Sequence, residues 1–231
     1  MTDDLPYGTA RTTVGDVGRE LLERDLTTGT GGNVSHRCAD GETVAVSPSG
    51  VPYGDVTPER VPLVTLDGEQ VAGGLDASSE TPMHTALYRR RDDVGGVVHT
   101  HSPYASTFAT LGESIPASHY LIAVAGDEVP VAGYARPGSE ELAELAVETM
   151  GADYDPCLLQ HHGTLAVGET AEAALDVAST VEYFARIHYQ ALSVGAPTVP
   201  PREAGAHLRS LLEGCGRRSR GLGAAPSPPA A

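Results

Sequence analysis

The sequence predicts an α/β fold in which one sheet is packed by helices, and three observations carry that prediction. Apolar residues recur at helical spacing in some segments and as short β-prone runs in others, and the two kinds alternate along the chain. A length of 231 residues, 40% of them hydrophobic, suffices for one substantial core. No segment repeats another at a fixed period, which argues against a solenoid or a propeller.

Taken in order, Thr9 to Leu26 carries Val14, Val17, Leu21 and Leu22 at helical spacing and predicts an amphipathic opening helix. Thr28-Gly29-Thr30-Gly31-Gly32-Asn33 is too rich in glycine to continue it. β-prone runs follow at Thr43 to Val46 and Val61 to Leu66, separated by the turn signal Ser47-Pro48-Ser49-Gly50. Ser78-Ser79 leads into a helix that starts near Ser79 and continues through Thr81 to Arg91, with Pro82 in its first turn. Val97 to His101 reads as a strand, and Pro103 to Leu111 as a helix opened by its proline. A strand around Leu121 to Val124 and a helix from Ser139 to Met150 come next. Strands at Cys157 to Gln160 and Thr164 to Val167 and a long helix from Ala171 to Val194 complete the pattern. Residues 1–200 therefore make one domain. The C-terminal extension, 201–231, is expected to be partly disordered, above all from Gly214 to Ala231, where Gly, Ser, Pro, Ala and Arg have little to bury.

A formal net charge of −16 argues against a nucleic-acid partner, which would need clustered basic residues. All 15 basic residues are arginine and none is lysine. An acidic, lysine-free surface suits a protein bathed in high salt, where self-repulsion is screened over a few ångströms, so a halophilic source is expected. Schiff-base catalysis on a lysine amine and a phosphate-gripping P-loop lysine are both unavailable. Cys38, Cys157 and Cys215 are odd in number and far apart, and are read as bystanders. With no apolar run of about 18 residues and no apolar leader, the expected location is cytoplasmic.

His99-Thr100-His101 ends an apolar run, and residues i and i+2 of a strand share a face, so two imidazoles can approach one ion. The same pair could be ordinary polar residues at a strand mouth. His162 is the best third ligand, at the end of Cys157-Leu158-Leu159 and before Gly163, where a glycine allows close approach. His161 is expected on the opposite face of that strand. His36, His84, His119, His188 and His207 are read as surface residues or as supports for the ligands. Three neutral imidazoles with an open position make a catalytic rather than a structural zinc site. Glu80 is a candidate carboxylate for proton work, but on the residues alone the simpler use of an acid in a helix's first turn, against the helix dipole, is the favoured reading. Gly31-Gly32-Asn33, Ser49-Gly50 and Ser78-Ser79 supply backbone N–H groups and hydroxyls that could hold a phosphate without lysine. A phosphorylated small molecule is the implied substrate.

In this order, Gly32-Asn33-Val34-Ser35, Ser49-Gly50-Val51-Pro52-Tyr53, Ser78-Ser79-Glu80, His99-Thr100-His101 and His162-Gly163 resemble the class II aldolase/adducin family. The likeness runs from about Leu5 to Val194 and extends to Ile115 to Tyr120 and Val131 to Gly138. Within the family the pattern is closest to members that cleave L-fuculose 1-phosphate.

The resemblance implies a three-layer α/β/α domain with a central, mainly antiparallel sheet and no parallel strand–helix–strand winding. It implies His99, His101 and His162 as Zn2+ ligands, with Glu80 ligating at rest and shuttling protons when substrate binds. Gly32, Asn33, Ser49, Gly50, Ser78 and Ser79 would hold the substrate phosphate. Tyr120 would reach a neighbouring subunit's site and serve the departing aldehyde's oxygen, in a homotetramer with sites at subunit interfaces. The implied reaction is reversible cleavage of a ketose 1-phosphate such as L-fuculose 1-phosphate to dihydroxyacetone phosphate and L-lactaldehyde. With no lysine in the chain, a metal must stabilise the carbanion.

The alternatives are a methylthioribulose-1-phosphate dehydratase or a 5-deoxyribulose-1-phosphate-type aldolase, and more remotely an L-ribulose-5-phosphate 4-epimerase. Epimerases of this family usually place aspartate where Glu80 stands. The family's non-enzymatic cytoskeletal members are disfavoured by the three histidines and Glu80. The chain departs from the family pattern at His161, commonly Asn, and beyond about Pro200, where a family tyrosine has no counterpart.

Overall fold

A computed structural model describes residues 5–121 and 127–199. Five helices, α1 (Gly8–Glu23), α2 (Thr81–Arg90), α3 (Pro103–Leu111), α4 (Glu140–Met150) and α5 (Ala171–Val194), flank a central sheet. Its strands are β1 (Asn33–Arg37), β2 (Thr43–Val46), β3 (Leu63–Thr65), β4 (Gln70–Ala72), β5 (Gly96–Thr100), β8 (Val131–Ala132), β9 (Pro156–Leu159) and β10 (Gly163–Gly168). A separate short pair joins β6 (Ile115–Pro116) to β7 (Glu128–Val129). The sheet order is β4-β3-β2-β1-β5-β10-β9-β8.

The pleat separates two cores. Val34, Ala45, Val98, Leu158 and Ala166 pack on one face with α1, α3 and α5. Val44, Val46, Val97, Cys157, Leu159, Leu165 and Val167 pack on the other with α2 and α4. Three layers result, and every pairing in the sheet is antiparallel except β8 with β9. That exception corrects the expectation of no parallel winding. Strand β8, helix α4 and strand β9 form a single crossover unit at one edge, where the intervening helix is long enough to bring the chain back in the same direction.

Most of the expected elements form within a few residues of their predicted bounds. The helix expected near Ser79 begins at Thr81, with Glu80 at its N-cap and Pro82 in its first turn. The strand expected around Leu121 to Val124 falls mainly on residues 122–126, and with the C-terminal extension it lies outside the described residues. Strand β1 was not expected, since Ser35, His36 and Arg37 hide its alternation. Cys38 and Cys157 are buried free thiols, with burial raising them to about 11 and about 12, which leaves both unreactive. No helix among the described residues is long and apolar enough to cross a membrane.

Candidate functional site

Glu80 and the three predicted histidines meet at one end of the central strands. His99 is the fourth residue of β5, His101 follows that strand directly, and His162 stands in the hairpin between β9 and β10. Strands β5 and β10 are paired antiparallel, with Thr100 opposite Thr164, which brings the hairpin beside His99 and His101. One ligand nitrogen from each ring lies within 4.8 Å of the others. Two glycines make this approach possible. A Cβ on Gly163 would stand 2.2 Å from the Thr100 carbonyl oxygen and 3.2 Å from His99 Cε1. Gly32 has φ +69, and a Cβ there would lie 2.6 Å from the His99 carbonyl oxygen.

The hydrogen bonds fix the state of His99. Its Nδ1–H donates to the Thr164 carbonyl at 3.0 Å, so Nε2 carries the lone pair. Burial, together with His162 and His101, holds the ring's pKa well below its ordinary value, and His101 is also lowered, mainly by burial. His99 Nε2 nevertheless lies 3.0 Å from His101 Nε2, a separation that calls for a proton or a cation between the two nitrogens.

The two readings of Glu80 separate here. It occupies the N-cap of α2 but makes no side-chain cap bond to the helix. Its carboxylate turns inward, with Oε2 3.3 Å from His99 Nε2 and Oε1 3.4 Å from His162 Nε2. Oε1 is buried with no hydrogen-bond partner. Oε2 accepts a 2.8 Å bond from Asn33 Nδ2. Three inward nitrogens and a buried carboxylate oxygen lacking a donor form a donor set that fits a divalent cation.

The three loops expected at the phosphate do converge. Ser47-Pro48-Ser49 runs antiparallel to Asp76-Ala77-Ser78, with Ser49 N–H donating to the Asp76 carbonyl and Ser78 N–H to the Ser47 carbonyl. Ser47 is tied to Val34 by two further bonds, beside Gly32 and Asn33. Ser49, Gly50 and Ser79 are exposed, whereas the Ser78 hydroxyl accepts from Glu80 N–H. Asn33 is 4% exposed, and its amide is committed to Glu80 and to His84.

Tyr120 is 53% exposed, with its ring against His119. His161 is not on a strand face as expected. It lies in the hairpin loop at φ 58, a left-handed position that Asn and His tolerate better than most side chains, with its ring near Tyr134. His84, read from the sequence as a surface residue or a support for the ligands, is fully buried and bonded to Asn33 and Ser35. Its signal was present, since His84 stands one helical turn after Glu80.

A layered mixed α/β fold with a three-histidine, one-carboxylate cluster at its strand ends is that of the class II, sugar-phosphate lyase type. The chain belongs to the class II aldolase and adducin family, whose N-terminal domain model matches residues 12–189. It is 42% identical to the 5-deoxy-D-ribulose 1-phosphate aldolase of Bacillus thuringiensis serovar kurstaki, over 87% of this chain and 94% of that protein. It is 38% identical to the L-fuculose phosphate aldolase of Escherichia coli K12, over 77% and 81% of the two chains. A solved L-fuculose 1-phosphate aldolase superposes with TM-score 0.86 and 36% identity, covering 89% of this chain and 96% of that one.

Proposed function

We propose that this protein is a divalent-metal class II aldolase, zinc being the expected ion, that cleaves a short ketose 1-phosphate between C3 and C4. The buried, unpartnered Oε1 of Glu80 among three inward imidazoles is the observation that carries the reading. His99, His101 and His162 would hold the ion, which would stabilise the negative charge that bond cleavage leaves on the substrate's carbonyl oxygen. Glu80 Oε1 would move the proton between the carboxyl and the carbon released from the broken bond. Gly32, Ser49, Gly50, Ser78 and Ser79 would hold the phosphate, with Asn33 at their edge. Tyr120, which is exposed, would serve a neighbouring subunit's site in a homotetramer.

A 5-deoxyribulose 1-phosphate is favoured over L-fuculose 1-phosphate, because the relative named for it shares more identity over more of the chain. Cleavage of that pentose leaves dihydroxyacetone phosphate from C1–C3 and acetaldehyde from C4–C5. Purified, zinc-loaded protein should release dihydroxyacetone phosphate from 5-deoxyribulose 1-phosphate with a higher kcat/KM than from the fuculose, methylthioribulose or ribulose phosphates. Epimerised or dehydrated product without dihydroxyacetone phosphate would overturn the assignment.

A further inference from the structure

Five polar side chains are stacked between β1 and α2, where an apolar core would otherwise close. Asn33 and Ser35 are two residues apart on β1 and project to one face of the sheet. Glu80, His84 and Tyr88 are spaced by four and share one stripe of the α2 segment. The two ladders interdigitate. Ser35 and His84 are fully buried, Tyr88 is 1% exposed and Asn33 4%.

Chemistry fixes the direction of every bond. An ionised Glu80 can only accept, so the group Asn33 presents to it is the NH2, and Asn33 Oδ1 faces His84 Nε2. Oδ1 can only accept, so His84 carries its proton on Nε2, and its bare Nδ1 accepts the Ser35 hydroxyl at 2.7 Å. Ser35 Oγ in turn accepts the Tyr88 hydroxyl at 2.8 Å. A neutral imidazole is the one ring that donates at one nitrogen and accepts at the other.

We propose that His84 is a positioning residue for Glu80. Through Asn33 it pins Oε2, and so fixes the carboxylate with its two oxygens against His99 Nε2 and His162 Nε2, Oε1 being the one without a hydrogen bond. The role of Oε1 in catalysis rests on the aldolase reading, whereas the positioning itself does not. Without the Nε2–H, Asn33 Oδ1 loses its donor and the amide is held by the Glu80 carboxylate alone, so amide and carboxylate can swing away from the histidines together.

The test is a double-mutant cycle on metal-stripped, full-length protein, read as zinc affinity in competition with a chromogenic chelator. H84N shortens the side chain so that it no longer reaches Asn33, and should weaken zinc about tenfold or more, the scale reported for partners behind a ligand. The same change in an E80Q background should alter affinity by less than about twofold, because the group it positions has lost its charge. H84Q, whose amide still reaches Asn33 Oδ1, should stay within about threefold of wild type. In turnover, H84N should lower kcat while leaving KM within about twofold, and H84Q should restore kcat. Equal losses in both backgrounds, or H84Q as damaging as H84N, would overturn the proposal in favour of a purely structural histidine. If H84N does not fold, S35A, which releases the tautomer, carries the same comparison with a smaller loss in the same direction. A wild-type protein that yields no dihydroxyacetone phosphate sinks the functional reading, and the zinc cycle still decides His84.

Discussion

Asn33 and His99 face one another across the antiparallel pairing of β1 with β5, so one rung of the sheet carries both the donor to Glu80 and the first inward imidazole. Asn33→Asp places a second carboxylate at hydrogen-bonding distance from Glu80, and two like charges there cannot both stay ionised. We expect kcat to fall about 100-fold or more, the scale of a misplaced proton-handling group, with KM within about threefold. Steady-state release of dihydroxyacetone phosphate measures both. A raised KM with kcat intact would instead make Asn33 a ligand of the substrate phosphate.

Gly163→Ala tests the close approach of the hairpin to β5. The new methyl would stand 2.2 Å from a backbone oxygen and 3.0 Å from His101 Cδ2, and backbone cannot give way cheaply. A loss of about 3 kcal/mol in denaturant unfolding is expected, at the upper end of overpacking costs. Zinc loading should fall with it, since the clash lies against two of the three rings.

The His84 ring gives the fold a pH dependence with a definite sign. Burial lowers its pKa from 6.5 to about 4. A depressed folded value means that the unfolded chain takes up the proton first, so stability is fully present above 6.5 and is lost as pH falls through about 4. The difference corresponds to about 3 kcal/mol at most. Denaturant unfolding of metal-free protein from pH 8 to pH 4.5 should show a shallower decline for His84→Gln than for wild type. Parallel declines would mean that other histidines account for the slope.

His99, His101, His162 and Glu80 each sit at an element end marked by a local signal, but it was the ordered resemblance of the motifs, not those signals alone, that joined them into one site. Those signals were an apolar run before His99, glycine after His162 and proline after Glu80. Strand β1 was not legible, and for a chemical reason. One of its faces is given to Asn33 and Ser35, so the alternation of apolar and polar residues that reveals a half-buried strand is replaced by polar groups that are themselves buried. The same substitution hid the partners of His84, which come from residues about 50 positions earlier. The parallel edge pair was missed because β8 is two residues long, too short for any period to show.

Ser79 tests the proposed phosphate site apart from the proposed metal site. It is exposed, while its neighbour Ser78 is occupied by Glu80 N–H. Ser79→Ala should raise KM for a ketose phosphate about tenfold, the value of one charge-assisted bond, and leave kcat within about twofold. A comparable fall in kcat with unchanged KM would place Ser79 in the chemistry instead.

Glu182 supports the site from the opposite face of the sheet. Helix α3 begins two residues after His101, and its N-cap, Ser102, gives no side-chain bond to the helix. The free N–H groups of Tyr104 and Ala105 donate instead to the two oxygens of Glu182 on α5, at 3.0 and 2.9 Å. A carboxylate at a helix N-terminus is favoured by the dipole as well as by these bonds, and it fixes where the chain leaves β5. Glu182→Ala removes both acceptors and should cost about 2 kcal/mol, at the upper end of cap removals. Because His101 lies in the short link between β5 and α3, the same variant should bind zinc several-fold more weakly in chelator competition, while Glu182→Gln, which keeps one acceptor, should lie between it and wild type. Full zinc affinity in Glu182→Ala would show that the β5 ladder alone holds His101 in place.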